Sequence, residues 1–138
     1  MGKTKETLEL EQKLYAHTRQ GGYPYGPFEV TLSSTNWANR TTYERVDFLT
    51  VDRQGIWKAY EIKVSKSDFY SPAAKSFVGN YNYYVMPEWL YHEVKMDIPK
   101  HVGVFVEGSF PNSLISVKRA KKTDLGLPAQ ELYISLIC

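Results

Sequence analysis

One hairpin constrains this chain more than any other segment. From Arg45 to Val64, two alternating segments flank Asp52-Arg53-Gln54-Gly55, and the glycine supplies the turn geometry. Side chains alternate along a strand, so Arg45, Asp47 and Leu49 share one face of the first strand. Glu61 and Lys63 share one face of the second. Folding at the turn brings Asp47, Glu61 and Lys63 together, with directly opposed Cβ atoms about 4.5–5.5 Å apart. Glu-x-Lys alone is common on the solvated face of an antiparallel sheet. Here Tyr60, Ile62 and Val64 make the reverse face apolar, and Val46, Phe48 and Val51 do much the same on the first strand. A hairpin of that content belongs near the sheet centre, where charges need a reason. Two carboxylates beside an ammonium suit a magnesium ion with a charged neighbour, the chemistry that cuts phosphodiesters.

Length and composition fit one domain over residues 1–138. A chain of this size buries a core without staples, and 43% hydrophobic with 23% charged residues is ordinary for a globular domain. The formal net charge is only +2, so bulk charge does not announce a nucleic-acid partner. The 11 tyrosines suit strands and interfaces, or a surface on which bases stack. Cys138 is the single cysteine, which excludes a disulfide framework and a zinc cluster. His17, His92 and His101 lack metal-motif spacing. No apolar run approaches the roughly twenty residues that span a bilayer, and the Lys- and Glu-rich N-terminus does not resemble a signal peptide. The expectation is a cytoplasmic protein with no membrane partner.

Along the chain, helices and strands alternate. Thr4 to Gln20 reads as a helix with Leu10 and Leu14 on one face, stopped by Gly21-Gly22. Tyr23-Pro24-Tyr25-Gly26-Pro27 reads as an exposed turn. Phe28 to Leu32 alternates as a strand, and Ser33 to Thr42 is a polar loop holding Trp37. After the hairpin, Ser67 or Ser71 would cap a helix containing Pro72, Lys75 and Phe77. Tyr81 to Met86 is a Tyr-rich strand. Following a crossover helix, it should run parallel to a hairpin strand. Pro87 opens a helix to about Lys95. Val102 to Val106 and Leu114 to Lys118 are further strands. Lys118-Arg119-Ala120-Lys121-Lys122 is a basic run, and Pro128-Ala129-Gln130-Glu131 starts a final helix. This order predicts an α/β fold, a mixed sheet flanked by helices.

The string Arg45-Val46-Asp47, a hairpin, then Glu61-Ile62-Lys63-Val64-Ser65-Lys66-Ser67-Asp68-Phe69 resembles the PD-(D/E)XK nuclease superfamily. It is most similar to the MmcB-like DNA-repair branch and related phage or prophage proteins. The resemblance covers roughly residues 8 to 106, and the Glu-x-Lys-x-Ser-x-x-Asp-Phe string is its specific part. Asp47 matches the family's first acid, Glu61 its second and Lys63 its lysine; Val46 stands where the family name has Pro. The resemblance implies a restriction-endonuclease-like αβββαβ core and hydrolysis of DNA with Mg²⁺ or Mn²⁺. The alternative it leaves is an inactive nuclease-fold module that binds DNA or a protein partner. A homodimer is compatible with either.

The same resemblance implies roles. Asp47, Glu61 and the backbone carbonyl of Ile62 would hold the metal. Lys63 would orient the attacking water or stabilise charge developing on the phosphorus centre. A glutamate of the first helix would join them: Glu11 by its spacing from Gly22, with Glu9 and Glu6 as alternatives. Lys66 and Lys75 would grip flanking phosphates.

Overall fold

The structure, a computed structural model, describes residues 4–19, 28–35, 41–71, 77–110 and 113–137, with the backbone alone for 28–35, 41–45 and 135–137. The expected Gly21-Gly22 stop, the turn from Tyr23 to Pro27, Trp37, Pro72, Lys75, Cys138 and the Arg45 side chain lie outside the described residues.

Helix α1 spans Lys5–Thr18 and is capped by Thr4, whose hydroxyl accepts the Thr7 N–H at 3.2 Å. Strands β1 (Phe28–Thr35), β2 (Thr41–Val51) and β3 (Trp57–Ile62) form an antiparallel meander. The short α2 (Lys66–Phe69) leads to β4 (Tyr81–Val85), which is parallel to β3. Helix α3 (Glu88–Val94) then leads to β5 (Gly103–Glu107), parallel to β4. Strand β6 (Leu114–Lys118) pairs antiparallel with β5, and α4 (Ala129–Ile137) ends the fold. The sheet order is β1-β2-β3-β4-β5-β6. The chain is therefore α/β, with a mixed sheet flanked by helices and the expected helix–meander–helix–strand opening. No described helix is long and apolar enough to cross a membrane.

The β2–β3 turn forms where its residues demand it. Gly55 sits at φ 79°, a conformation that costs glycine nothing. Asp52 closes the turn with its carboxylate, whose Oδ1 accepts the N–H groups of Gln54 at 2.9 Å and Ile56 at 3.0 Å. The register that follows sets Leu49 against Ala59 and Phe48 against Tyr60.

Each face of the sheet is covered. On one, Phe48, Tyr60, Ile62 and Val85 pack against Leu10 and Leu14 of α1. On the other, Tyr84, Met86, Val104 and Val106 meet Phe69 of α2 with Leu90 and Val94 of α3. Near the hairpin turn, Leu49, Trp57 and Ala59 pack on Leu132 of α4. Alternation in β3 decides the sides: Tyr60 and Ile62 face α1, while Ala59, Glu61 and Lys63 face away from it.

One expectation is corrected. Ser33 to Thr42 is not all loop, because Ser33, Ser34 and Thr35 pair with Tyr43, Thr42 and Thr41. Backbone pairing carries a polar segment that shows no hydrophobic period. A short helix, α2, precedes the one expected over Pro72 and Lys75, which lies outside the described residues; its cap is Ser65, whose Oγ accepts the Asp68 N–H at 3.1 Å.

Candidate functional site

The candidate site lies at the C-terminal end of β3, where β2 and β3 part. Their ladder stops at Phe48–Tyr60. Continued, the register would set Val46 opposite Ile62 and Asp47 opposite Glu61. Instead the Ile62 N–H donates to Asp47 Oδ2 at 2.8 Å. A side-chain carboxylate thus stands in for a backbone acceptor. Val46 and Phe48, two residues apart, pack in different core clusters, so strand alternation slips around Asp47. Asp47 itself is half-buried.

The backbone shows where the Ile62 carbonyl points. The Lys63 N–H donates to the Val85 carbonyl at 3.0 Å, so Lys63 turns its backbone toward β4. Successive residues turn to opposite sides, so the N–H and C=O of Ile62 both turn toward Asp47.

Glu61 is buried at 5% exposure and Lys63 at 9%, both on the face away from α1. Glu61 stands beside Tyr84 in the β3–β4 register. Tyr84 is fully buried, with Phe69 and Phe77 rings at 5.1 and 5.2 Å. Burial, and then the Glu61 charge, push its phenol pKa up, so the hydroxyl stays protonated beside the carboxylate.

Lys63 has an anchor of its own. Its Nζ lies 3.8 Å from Asp68 Oδ1, while Asp68 Oδ2 accepts the Val64 N–H at 3.1 Å. Ser65 Oγ in turn accepts the Asp68 N–H, and Phe69 locks the helical turn into the core. A capping motif therefore fixes Asp68, and Asp68 holds Lys63. At 3.8 Å the pair is looser than a charge-assisted hydrogen bond of about 2.7–2.9 Å.

Of the residues expected at the site, Asp47 and Ile62 meet directly, and Glu61 and Lys63 share one face of the same strand. Glu11 is half-buried on α1 beside Leu10 and Leu14, whose partners lie on the Ile62 face. Alternation in β3 turns the Glu61 and Lys63 side chains to the other face. Glu6 and Glu9 are exposed. Lys66 is exposed, with Nζ 3.5 Å from Glu93 Oε2; such a surface pair contributes at most about 1 kcal/mol. Sequence reasoning missed Asp68 and Tyr84 as site neighbours. The Ser65-to-Asp68 spacing, which is that of a helix N-cap pair, was the available signal for the first.

The donors suit a hard cation. Among the described residues, no group of three or more His, Cys, Asp or Glu side chains is disposed to hold a metal. An ion here would rest on the Asp47 and Glu61 carboxylates and the Ile62 carbonyl. That set fits Mg²⁺, which is commonly held by one or two carboxylates and keeps several waters.

The sequence matches no protein-family model, and no curated protein matches it significantly. Among solved structures, SPO1766, a protein of unknown function from Silicibacter pomeroyi, is similar. Its TM-score is 0.65 at 16% identity, covering 99% of this chain and 84% of that protein. At this identity the likeness establishes the shared fold.

Proposed function

We propose that this protein is a PD-(D/E)XK-type, metal-dependent nuclease that hydrolyses DNA phosphodiester bonds, in the cytoplasm, during repair, recombination or phage DNA metabolism. The observation that carries this reading is the 2.8 Å bond from the Ile62 N–H to Asp47. It puts one acid against the peptide that follows the second acid, Glu61, with Lys63 one residue beyond.

In this reading Asp47, Glu61 and the Ile62 carbonyl hold Mg²⁺ or Mn²⁺. When bound, the ion activates water and shields the scissile phosphate. Lys63, loosely tethered by Asp68, supplies positive charge where negative charge develops. Lys66 exchanges its weak contact with Glu93 for a flanking phosphate. A protein partner or second copy would add substrate choice to so small a domain.

The burial of Glu61 and Lys63 favours one alternative, a nuclease-fold module that binds DNA or a protein without cutting. The test is purified protein with Mg²⁺ or Mn²⁺ on single-stranded, duplex, flap and branched DNA. Metal-dependent cutting that Glu61→Gln and Lys63→Ala abolish supports the nuclease. A protein that cuts nothing, yet binds one of these DNAs with an affinity that Glu61→Gln leaves intact, establishes the module instead.

A further inference from the structure

We propose that the end of the sheet opposite Lys63 is a second surface, one that binds the phosphate backbone of a nucleic-acid duplex through Lys100, Arg119, Lys121 and Lys122. These residues come from two segments, one entering β5 and one leaving β6. Lys63 follows the other end of the parallel strands, so the surface is separate from the carboxylate site and does not rest on cleavage there.

The two segments are fastened together. Lys118 Nζ donates to the carbonyls of Pro99 and Val102, each at 2.7 Å. The Lys121 N–H donates to the His101 carbonyl at 2.9 Å. Gly103 permits the approach, since a Cβ there would lie 2.7 Å from the Ala120 nitrogen. Lys118 is consumed in this bracing. Lys100, Arg119, Lys121 and Lys122 are left exposed on a fixed support.

Their charge is uncompensated. Among the described residues, no carboxylate forms an ion pair with any of the four, including the nearby Asp124. Lys118 and these four are five of the chain's 17 lysines and arginines; with Asp124 they sum to +4, which leaves 12 against 14 acids elsewhere. A molecule of net charge +2 therefore carries +4 at one end and −2 over the rest. The cations also press on each other: burial, and then the charge of Lys121, lower the Lys118 pKa. Gathering like charges without counter-ions costs stability, and a polyanion relieves it.

The chemistry of the surface selects among polyanions. A membrane-binding surface would present large apolar side chains beside the cations, and single strands need aromatic platforms for base stacking. The exposed large hydrophobic residues include none from 99–102 or 118–123. Cations alone suit duplex backbone, read without regard to sequence.

The experiment is fluorescence anisotropy in EDTA, where metal-dependent cleavage cannot occur, with a short DNA duplex, an RNA duplex and a single strand at low and physiological salt. The triple variant Arg119→Glu, Lys121→Glu, Lys122→Glu should bind duplex about tenfold or more weakly than wild type. Its salt dependence should flatten by about 0.9 in log–log slope for each phosphate it no longer neutralises. Lys5→Glu, a charge control on α1, should bind as wild type does. If charge reversal unfolds the protein, the corresponding triple glutamine variant is read in the same way with a smaller effect. Equal duplex binding by wild type and either folded triple variant overturns the proposal. So does a wild type that binds no duplex, that prefers the single strand, or that binds only anionic phosphatidylserine vesicles. Failure of the nuclease reading would appear separately, as no cutting with Mg²⁺.

Discussion

The Asp47 carboxylate accepts the Ile62 N–H at the point where β2 leaves β3. One oxygen thus satisfies a backbone donor that the departing strand no longer reaches; in the proposed nuclease the other would serve a cation. The two roles separate by substitution. Asp47→Asn keeps an oxygen acceptor, so stability should change by less than about 1 kcal/mol. Asp47→Ala leaves the N–H of a buried residue without its acceptor and should cost about 1–3 kcal/mol. If the nuclease reading holds, both should lose Mn²⁺ binding. Urea denaturation and calorimetry measure the two effects; equal stability of Asn and Ala variants would remove the bridging role.

Ser65 and Ser67 are two residues apart, and only Ser65 accepts from a helix N–H. Ser65→Ala should cost about 0.5–2 kcal/mol, the usual loss of an N-cap. Ser67→Ala should stay within about 0.5 kcal/mol, as for an exposed site. Thermal denaturation of both variants decides the assignment, and a larger loss at Ser67 would contradict it.

Asp68 links that cap to Lys63. Asp68→Asn retains an acceptor for the Val64 N–H but removes the charge that tethers Lys63. If the nuclease reading holds, kcat should fall about tenfold, as for other supporting groups behind a metal site, with KM nearly unchanged. Asp68→Glu should recover part of the loss. A wild-type kcat in Asp68→Asn would reduce the ion pair to a surface contact.

The sequence revealed most where local chemistry and hydrophobic period agreed. Asp52 and Gly55 announced the turn, and with it the register from Val51–Trp57 to Phe48–Tyr60 that leads up to Asp47 and Glu61. Residues whose placement depends on distant parts of the chain were harder to read. Ser65 and Ser67 are equivalent as caps of α2 until the end of β3 is known. Ser33 to Thr35 has no apolar alternation, and only pairing with β2 makes it a strand. The spacing that singled out Glu11 runs along a helix, and spacing along a helix does not say which face of the sheet the helix covers. Tyr84 emerged only from the β3–β4 register, and the joining of Lys100 to the basic run at 118–122 only from the bonds that Lys118 and Lys121 make to residues 99–102.

His17 predicts a pH dependence of stability. Its ring lies 4.9 Å from that of Phe105. Burial, and then the charge of Lys58, lower its pKa below 6.5 in the folded protein. The unfolded chain therefore binds this proton more readily than the folded one. By linkage, stability rises with pH wherever the unfolded state holds more protons. The contribution of His17 is thus fully favourable above 6.5, declines as pH falls through 6.5 toward the folded pKa, and levels off below it. Carboxylates add their own loss at lower pH, so a comparison is needed. His17→Phe keeps an aromatic ring against Phe105 and removes the titration. Melting temperatures of the two proteins, followed from neutral pH downward, should diverge from about pH 6.5, with wild type falling faster. Parallel curves through that range would show that His17 titrates alike in both states.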